Sequence, residues 1–329
     1  MISVIEKAAS SQEAPEVSVV VVNYNTGYLL DRLFAALDTA TTSIRIEIIV
    51  VDNASTDNSV EILEERYPSV KLIKNLTNVG FGRANNQAIY HVRGRYILLL
   101  NADAFVATDT VEKTVTFMNN HPRCGVLGVK LVGGDGTLQP SCRYFPTPWN
   151  VFLERSGLSR FFPRHRLVDD MRWDHKSIRQ CDWVPGCYYL ARSEVIRQVG
   201  LFDPRYFLYY EEVDHCRSVR DAGWQVIYYP YTEVVHIGGE SAKTDNAITS
   251  LGRQIASLQI ESELLYFRKY YGVAGVIVGV VLSILADVLS ALKSVARRFD
   301  LNGATAAFLH ISMVLKVLSA TRLAEHPTR

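Results

Sequence analysis

The sequence predicts an α/β fold in which helices flank a mostly parallel sheet, with a helical C-terminal region after it. Three observations predict this fold. In roughly the first third of the chain, short β-branched apolar runs alternate with amphipathic helical stretches, a pattern typical of parallel sheets because the helix supplies the right-handed crossover. Each run ends in a loop rich in Asn, Asp or Gly, and beyond residue 250 the pattern is helical again.

Four short runs are predicted as strands, and the first and the fourth are predicted to be buried, because continuous apolar runs of this length suit strands that are covered on both faces. They span residues 17–22 (VSVVVV), 46–51 (IEIIVV), 70–75 (VKLIKN) and 96–100 (YILLL). The first run precedes an amphipathic helix that ends near residue 37. The second precedes a helix with Ser55 or Asp57 as N-cap, and a further helix opens after Asn78.

Polar side chains directly follow three of these strands, at the edge where open α/β sheets bind ligands. They are Asn23, Asn25, Asp52, Asn53, Asn101 and Asp103. The Asp52 carboxylate can accept hydrogen bonds from a nucleobase or a ribose; the alternative is that it caps a helix and that the asparagines only form turns. Hard cations take carboxylate oxygens and leave further positions to substrate phosphates, so Asp103 suits a metal. The alternative for Asn101 and Asp103 is a pair that caps a turn.

Composition and missing motifs argue against several classes of protein. With 35 basic and 34 acidic residues the net charge is +1, whereas nucleic-acid binders carry a concentrated basic excess. The chain has no GxGxxG and no GxxxxGK[ST], which argues against dinucleotide-binding and P-loop sites. Five scattered cysteines without a CxxC pair predict reduced cytosolic thiols rather than disulfides or a zinc site. Residues 1–16 lack the layout of a signal peptide and are predicted to be a flexible lead-in.

Seven stretches together resemble a known family. In chain order they read VVVVNYN, IIVVDNASTDNS, NVGFGRANN, YILLLNADAF, CDWVPGCYYLARSEVI, GLFDPRYFLYYEEVDHCRSVRDAGW and VVHIGGES. This order is similar to that of the family 2 glycosyltransferases of GT-A fold, especially their bacterial rhamnosyltransferase-like branch, and covers about residues 17–243. The resemblance implies a Rossmann-like sheet, a nucleotide-sugar donor, a divalent cation (Mg²⁺ or Mn²⁺) and an inverting transfer to a hydroxyl.

The resemblance also implies roles for individual residues. The donor and its nucleoside would be bound by Asn23, Tyr24, Asn25, Asp52, Asn53, Gly80, Asn85, Asn101 and Ala102. Asp103 would be the metal-binding end of the family's DxD element, and His236 would complete the metal site. The chain departs from the family pattern at Asn101, which stands in the first acidic place of that element and puts metal affinity in question. Taken alone, a histidine such as His236 is more often a core or surface residue than a metal ligand.

An acidic cluster, Glu211-Glu212-Val213-Asp214, matches the family's catalytic carboxylates. Glu212 would be the general base, one methylene longer than the usual Asp, and Glu211 would bind the acceptor or orient the base. Asp214 is expected in the first turn of the next helix. Trp183 and Gly186, together with Asp214, would form the acceptor side of the site. The alternatives are a solvated acidic helix start for the cluster and a core position for Trp183.

The C-terminal region, predicted as residues 246–329 after a catalytic domain at 17–245, is unusually apolar. Residues 270–286 form a run of 17 uncharged residues, and Lys293, Arg297 and Arg298 follow it. A second apolar stretch covers residues 304–318. Three interpretations remain open: helices packed together or across a homodimer, an in-plane membrane helix with basic flanks, and a true span. The resemblance implies an acceptor sugar linked to a polyprenyl diphosphate. Such an acceptor is held in the membrane, so we predict peripheral membrane contact from the cytosol.

These observations predict an inverting, metal-dependent glycosyltransferase at the inner face of the cell membrane. The resemblance implies dTDP-L-rhamnose as the donor and, as the acceptor, a glycan or polyprenyl-diphosphate-linked sugar in bacterial cell-wall or surface polysaccharide synthesis. The alternatives are another donor such as UDP-galactose or UDP-GlcNAc, and a non-catalytic subunit that binds nucleotide sugars or glycans. A nucleotidyltransferase would need a Gly-rich activation loop after the first strand, which NYNTGYLLDR does not offer convincingly.

Overall fold

The computed structural model describes residues 14–238, 248–298 and 301–329. Most of the predicted lead-in, residues 1–13, lies outside these ranges, and so does the predicted domain boundary at 245. The first strand begins at residue 17, as the sequence predicts.

Ten strands of the described chain form one sheet. Their bounds are β1 Val17–Asn23, β2 Ile46–Asp52, β3 Lys71–Lys74, β4 Tyr96–Leu100, β5 Ala104–Val106, β6 Cys124–Val132, β7 Leu138–Gln139, β8 Arg179–Cys181, β9 Tyr188–Arg192 and β10 Gln225–His236. The four strands predicted from apolar runs are β1 to β4.

The sheet order is β3-β2-β1-β4-β9-β6-β10-β5, with β7 beside β6 and β8 beside β10. The first four strands in this order are parallel, and so are β6 and β10. β9 runs antiparallel between β4 and β6. The predicted α/β class is therefore confirmed, as a mixed sheet in which the adjacent parallel strands β1 to β4 come from residues 17–100.

The helices lie between and after the strands. Their bounds are α1 Gly27–Ala40, α2 Ser59–Arg66, α3 Phe81–Ile89, α4 Thr110–Asn120, α5 Pro148–Ser156, α6 Ser193–Val199, α7 Glu211–Asp221, α8 Ile248–Arg298 and α9 Leu301–Ala320. α1 shows why they form: Leu30, Leu33 and Leu37 recur at helical spacing and are completely buried. They join the valines of β1 in the main core.

The register of β1 and β2 places two predicted site residues side by side. Every residue of β1 pairs with one of β2, from Val17 with Ile46 to Asn23 with Asp52. Because the strands are parallel and in step, both end at the same level, and their polar terminal residues meet at one edge of the sheet.

β10 extends well beyond the stretch 232–235 that the sequence predicts as strand-like. The pairing with β6 is interrupted between Tyr229 and Glu233, next to Pro230, which has no amide hydrogen to donate. The end of β10 pairs antiparallel with β5, with His236 opposite Ala104. This pairing brings His236 beside the loop that carries Asp103, 133 positions earlier in the chain.

The chain groups into two compact units. The described part of the first lies within Met1–Arg143, Met171–Pro204 and Glu211–Ile248, and it holds all the strands. The second comprises Tyr144–Asp170, Arg205–Tyr210 and Thr249–Arg329. Within the second unit α8 is broken at Gly272, whose φ of 66° and ψ of −165° define a backbone conformation that only glycine adopts readily. The break lets the Phe267 ring pack directly on Gly279.

Candidate active site

The loops after β1 and β2 are joined by the side chains of Asn23 and Asp52. Asn23 Nδ2 donates to Asp52 Oδ1 at 2.9 Å and to Ser55 Oγ at 3.0 Å. The other Asp52 oxygen accepts from the Ser55 amide at 3.0 Å. Asn23 and Asp52 are both buried. The Asp52 carboxylate therefore already accepts hydrogen bonds that hold the two loops together. Its predicted contact with a nucleoside stays a prediction.

Asn25 joins the same two loops from the other side. Its Oδ1 accepts from the Thr56 amide at 2.6 Å, and its own amide donates to Ser55 Oγ at 2.9 Å. The backbone of Asn25 has a positive φ of 53°, a conformation that asparagine tolerates better than most residues. Tyr24, between the two asparagines, is half-buried.

Asn53 connects this set to the loop that follows β3. Its Nδ2 donates to Asn78 Oδ1 at 2.8 Å, and its Oδ1 accepts from the Val79 amide at 3.0 Å. The Gly80 amide in turn donates to Asn78 Oδ1. Asn85, on α3, is buried and donates to the Phe81 carbonyl of its own helix. Three strand-ending loops therefore form one hydrogen-bonded rim at the carboxyl edge of the parallel strands.

The connection between β4 and β5 carries Asn101, Ala102 and Asp103. The Asn101 amide donates to the Cys187 carbonyl at 3.1 Å, and Ala102 is buried. Asn101 Oδ1 is buried and accepts no hydrogen bond from the residues that the structure describes. An amide oxygen in this position is an available ligand for a cation or a donor group.

Asp103 and His236 face each other across 3.6 Å, between Oδ1 and Nε2. Gln139 determines which imidazole nitrogen carries the hydrogen. Its Nε2 donates to the His236 carbonyl at 2.9 Å, so its Oε1, at 3.0 Å from His236 Nδ1, must accept. Nδ1 is therefore protonated, and the lone pair of Nε2 points toward the Asp103 carboxylate.

Burial lowers the pKa of His236, although the Asp103 carboxylate opposes this shift. The imidazole is therefore neutral at pH 7, and it presents a lone pair to an acceptor that is itself negative. Two facing acceptors at this distance are stabilised by a cation between them. No group of three or more His, Cys, Asp and Glu side chains suited to a metal occurs among residues 14–238, 248–298 and 301–329. The pair, with Asn101 Oδ1 nearby in the chain, fits a hard cation that takes its remaining ligands from substrate.

Glu211 and Glu212 begin α7, and Asp214 lies in its first turn, as the sequence predicts. Glu212 Oε2 is buried and receives no hydrogen bond from the described part of the chain. Burial raises the pKa of Glu212, while backbone hydrogen bonds, including those of Gly186 and Val213, and the Arg143 guanidinium oppose the rise. A carboxylate with a raised pKa is a stronger base.

Trp183 is buried, and the Arg143 guanidinium lies 4.0 Å from the centre of its ring. Gly186 packs near Phe81, which lies 3.5 Å from the position that a Cβ would occupy. Because its backbone also contacts Glu212, Gly186 is close to the proposed base. The predicted contacts of Trp183, Gly186 and Asp214 with an acceptor stay predictions.

Cys187 shows that the separate groups converge. Burial raises the pKa of this thiol, and the carboxylates of Asp103 and Glu212 both add to the rise. Its carbonyl also accepts the Asn101 amide. The Asn101–Asp103 loop and Glu212 therefore lie near the same buried residue, although they are more than a hundred positions apart in the chain. No disulfide joins any of the five cysteines, all of which lie in the described ranges.

A buried histidine supports α7 behind Glu212. His215 Nδ1 accepts from the Tyr189 hydroxyl at 2.6 Å, and its Nε2 donates to the Gly200 carbonyl at 3.0 Å. Burial lowers the pKa of His215 to about 4. In this neutral tautomer both ring nitrogens are hydrogen-bonded, and protonation would place a positive charge in a site without access to water.

We expect this histidine to make folding sensitive to acid. The unfolded chain binds a proton near pH 6.5 and the folded chain only near pH 4, so the free energy of unfolding should fall by about 2 kcal/mol between about pH 7 and about pH 4.5. Urea unfolding at both pH values measures the change. His215→Gln can keep both hydrogen bonds without titrating, and it should lose correspondingly less stability over this interval. An equal loss in both proteins would contradict the assignment.

Comparison with known proteins agrees with this geometry. The model of the family described as Glycosyl transferase family 2 matches residues 18–180. The N-acetylglucosaminyl-diphospho-decaprenol L-rhamnosyltransferase of Mycobacterium tuberculosis is 31% identical over 246 residues, which are 70% of this chain and 78% of that protein.

The chain belongs to glycosyl transferase family 2.

Solved structures place this family member in the GT-A fold that the sequence predicts. S. aureus TarS 1-349 superposes with a TM-score of 0.50 at 15% identity, over 93% of this chain and 91% of that one. The mannosyltransferase PcManGT from Pyrobaculum calidifontis, solved with GDP-Man and Mn²⁺, gives a TM-score of 0.52 at 16% identity, over 98% and 89%. At these identities the likeness establishes the fold alone.

Sequence reasoning missed two residues of this family 2 site. Gln139 determines the His236 tautomer, and Arg143 lies close to both Glu212 and Trp183. Neither belongs to a motif. The available signal is their place shortly after the Gly133–Gly136 turn. This turn starts the short strand β7, which pairs antiparallel with β6.

Proposed function

We propose that this family 2 glycosyltransferase is an inverting, metal-dependent enzyme that transfers L-rhamnose from dTDP-L-rhamnose to a hydroxyl of a polyprenyl-diphosphate-linked sugar. The observation that carries the proposal is the convergence of Asp103, His236 and Glu212 on one part of the sheet edge. The name of the M. tuberculosis relative supports the choice of sugar and of acceptor.

In this proposal Asp103 Oδ1 and His236 Nε2 hold a divalent cation, with Asn101 Oδ1 as a further oxygen ligand. A bound Mg²⁺ or Mn²⁺ acts as a Lewis acid that neutralises charge on the leaving diphosphate. Gln139 keeps His236 in the tautomer whose Nε2 lone pair is available. The neutral state that burial imposes on this histidine serves the same purpose.

The rim of Asn23, Asn25, Asp52 and Asn53 is assigned to the nucleoside of the donor. It lies at the carboxyl edge of the parallel strands, where α/β sheets bind nucleotides. Its side-chain oxygens and amides match the donors and acceptors of a base and a ribose. The rim is held by hydrogen bonds between its own loops before any ligand binds, which reduces the entropy lost on binding.

Glu212 is assigned as the general base. The acceptor hydroxyl gives its proton to the Glu212 carboxylate while its oxygen forms a bond to the anomeric carbon. The bond from that carbon to the diphosphate oxygen breaks, and the nucleoside diphosphate leaves with the electron pair. Because attack and departure occur on opposite faces of the sugar, this single displacement inverts the anomeric configuration, as in inverting glycoside hydrolysis.

An acceptor on a polyprenyl diphosphate would place the reaction at the cytoplasmic face of the membrane. Two described helical stretches, Gln254–Ala296 and Gly303–Ala320, are long and apolar enough to cross a bilayer. We propose peripheral association rather than a span. The open alternative is that these helices pair across a homodimer.

A transfer assay tests the proposal. The full-length protein is given a polyprenyl-diphosphate-linked N-acetylglucosamine acceptor and, in parallel, dTDP-L-rhamnose, UDP-galactose or UDP-GlcNAc, with Mg²⁺, with Mn²⁺ or with a chelator. We expect transfer from dTDP-L-rhamnose only when the metal is present, with an inverted anomeric centre by NMR. Transfer from a UDP-sugar alone would replace the donor assignment, and donor binding without any transfer would indicate a non-catalytic subunit.

Gln139 should matter for the metal rather than for the donor. We expect Gln139→Leu to weaken Mn²⁺ binding by about 10- to 100-fold, because loss of a partner to a metal-binding histidine typically has this effect. Titration calorimetry with Mn²⁺ measures it. Gln180→Leu, at an exposed position on β8, is the matched control and should bind Mn²⁺ like the wild type. Unchanged Mn²⁺ affinity in Gln139→Leu would contradict the role of this side chain.

A further inference from the structure

The second half of α8 exposes apolar side chains and buries polar ones, which is the reverse of the pattern in a water-soluble helix. Between residues 273 and 296 none of the exposed positions carries a charge, and the only polar side chain among them is that of Ser290. They are Val273, Ala274, Ile277, Val278, Val281, Leu285, Val288, Ser290, Leu292, Val295 and Ala296. A soluble helix normally shows its polar face to water and buries its apolar face. We call these residues the apolar face of α8.

Asp287 and Ser283 of the same segment lie on its buried side. Asp287 Oδ1 bonds Arg155 Nη2 of α5 at 2.9 Å, and Asp287 Oδ2 lies 2.8 Å from His310 Nδ1 of α9. Ser283 Oγ accepts from Arg155 Nη1 at 2.7 Å. The helix thus has one side bonded to protein and one apolar side open. This arrangement suits a helix that lies along a membrane surface better than one surrounded by lipid.

A second feature of the same unit combines positive charge with exposed aromatic rings. Residues 160–166 (RFFPRHR), which we call the basic–aromatic segment, are all exposed. Phe161 is 63% exposed and Phe162 is 42% exposed, although large aromatic side chains usually avoid water. Nearby Trp149 is 40% exposed and meets Phe162 edge to face. Exposed aromatic rings among arginines are typical of the membrane interface.

The two features adjoin each other within this unit. Phe152 and Leu153 of α5 pack on Ala286 of α8. The Lys293 ammonium donates to the Ser156 carbonyl, at the last residue of α5. The basic–aromatic segment begins four positions after Ser156. It therefore starts close in space to the C-terminal end of the apolar face.

We propose that the apolar face of α8 and the basic–aromatic segment form one surface that binds an anionic phospholipid bilayer, with the second half of α8 lying in the plane of the interface. The choice of lipid over a second copy follows from charge. An anionic bilayer matches both features at once, because its phosphate headgroups complement Arg160, Arg164 and Arg166 while its acyl region takes up the apolar face. The proposal rests on the proposed function for the membrane location of the acceptor, and it concerns none of the site residues.

Vesicle co-sedimentation of the full-length protein tests the surface. The probes are vesicles of phosphatidylcholine and vesicles of phosphatidylcholine mixed with an equal amount of phosphatidylglycerol. We expect binding to the anionic vesicles. The triple variant Arg160→Gln, Arg164→Gln, Arg166→Gln should bind them about 100-fold more weakly, because each basic residue near an anionic surface contributes about fivefold.

Val281→Asp tests the apolar face, and Leu76→Asp, at a 99% exposed position of the other unit, is its matched control. We expect Val281→Asp to abolish vesicle binding and Leu76→Asp to leave it unchanged. Absence of binding by the wild type, or a Val281→Asp variant that still binds vesicles like the wild type, would overturn the proposal, and so would light scattering that shows the wild type as a dimer and the variant as a monomer.

Transfer to a short-chain, water-soluble acceptor analogue is measured on the same variants. The expected result is wild-type turnover, because neither feature contains a site residue. A variant that loses vesicle binding and keeps transfer would support the role of this surface. Absence of transfer in the wild type would contradict the proposed function and leave the vesicle result unaffected.

Discussion

Glu212→Gln is expected to lower kcat for sugar transfer by about 10²–10⁴-fold, the usual contribution of a positioned general base. The substitution removes the group that accepts the acceptor proton and keeps the shape of the side chain. The carboxylate it replaces has a pKa raised by burial, which suits proton abstraction near neutral pH. Donor affinity should be unchanged, because the rim assigned to the nucleoside lies on other loops.

Kinetics with saturating donor and titration calorimetry with the nucleotide sugar measure the two quantities. Asp221→Asn makes the same chemical change at an exposed position at the end of α7, and it should leave kcat intact. Glu212→Asp restores the carboxylate one methylene further back and should recover part of the activity. Full turnover in Glu212→Gln would show that another group accepts the proton.

Asp103→Asn is expected to have an effect of similar size through the metal. The variant loses the negative charge opposite His236 Nε2, at 3.6 Å in the wild type. We expect Mn²⁺ affinity to fall and kcat/KM to drop by about 10²–10³-fold, because charge stabilisation on the leaving group contributes several kcal/mol.

Two measurements distinguish this role from damage to the fold. Mn²⁺ binding by calorimetry should weaken, and the thermal unfolding midpoint should stay close to that of the wild type. Asp135→Asn, on the exposed turn before β7, is the matched control and should change neither quantity. A variant that loses activity with unchanged Mn²⁺ affinity would remove Asp103 from the metal site.

Local pattern was sufficient for much of the molecule. The strands β1, β2 and β4 follow from apolar runs, because a strand buried on both faces is apolar along most of its length. The polar rim follows from the same runs, since parallel strands end at one edge. The start of α7 at Glu211 follows from acidic residues that favour a helix N-terminus.

Other features depend on pairings between distant segments, which no local pattern reports. β9 lies antiparallel between β4 and β6, and its sequence alone does not indicate its neighbours. The same holds for β10, whose Pro230 and register break interrupt the strand pattern. Gln139 was missed because its function exists only through its two hydrogen bonds with His236.

The sequence by itself determined the α/β class, the polar carboxyl edge and the identity of the acids, because these depend on residues close together in the chain. Only the tertiary structure decided that Asp103 faces His236, that the imidazole presents Nε2, and that Glu212 lies near the same buried thiol. It also decided which side of α8 is open. The physical reason is that proximity, protonation state and exposure are set by burial and by contacts between segments that are far apart in the chain.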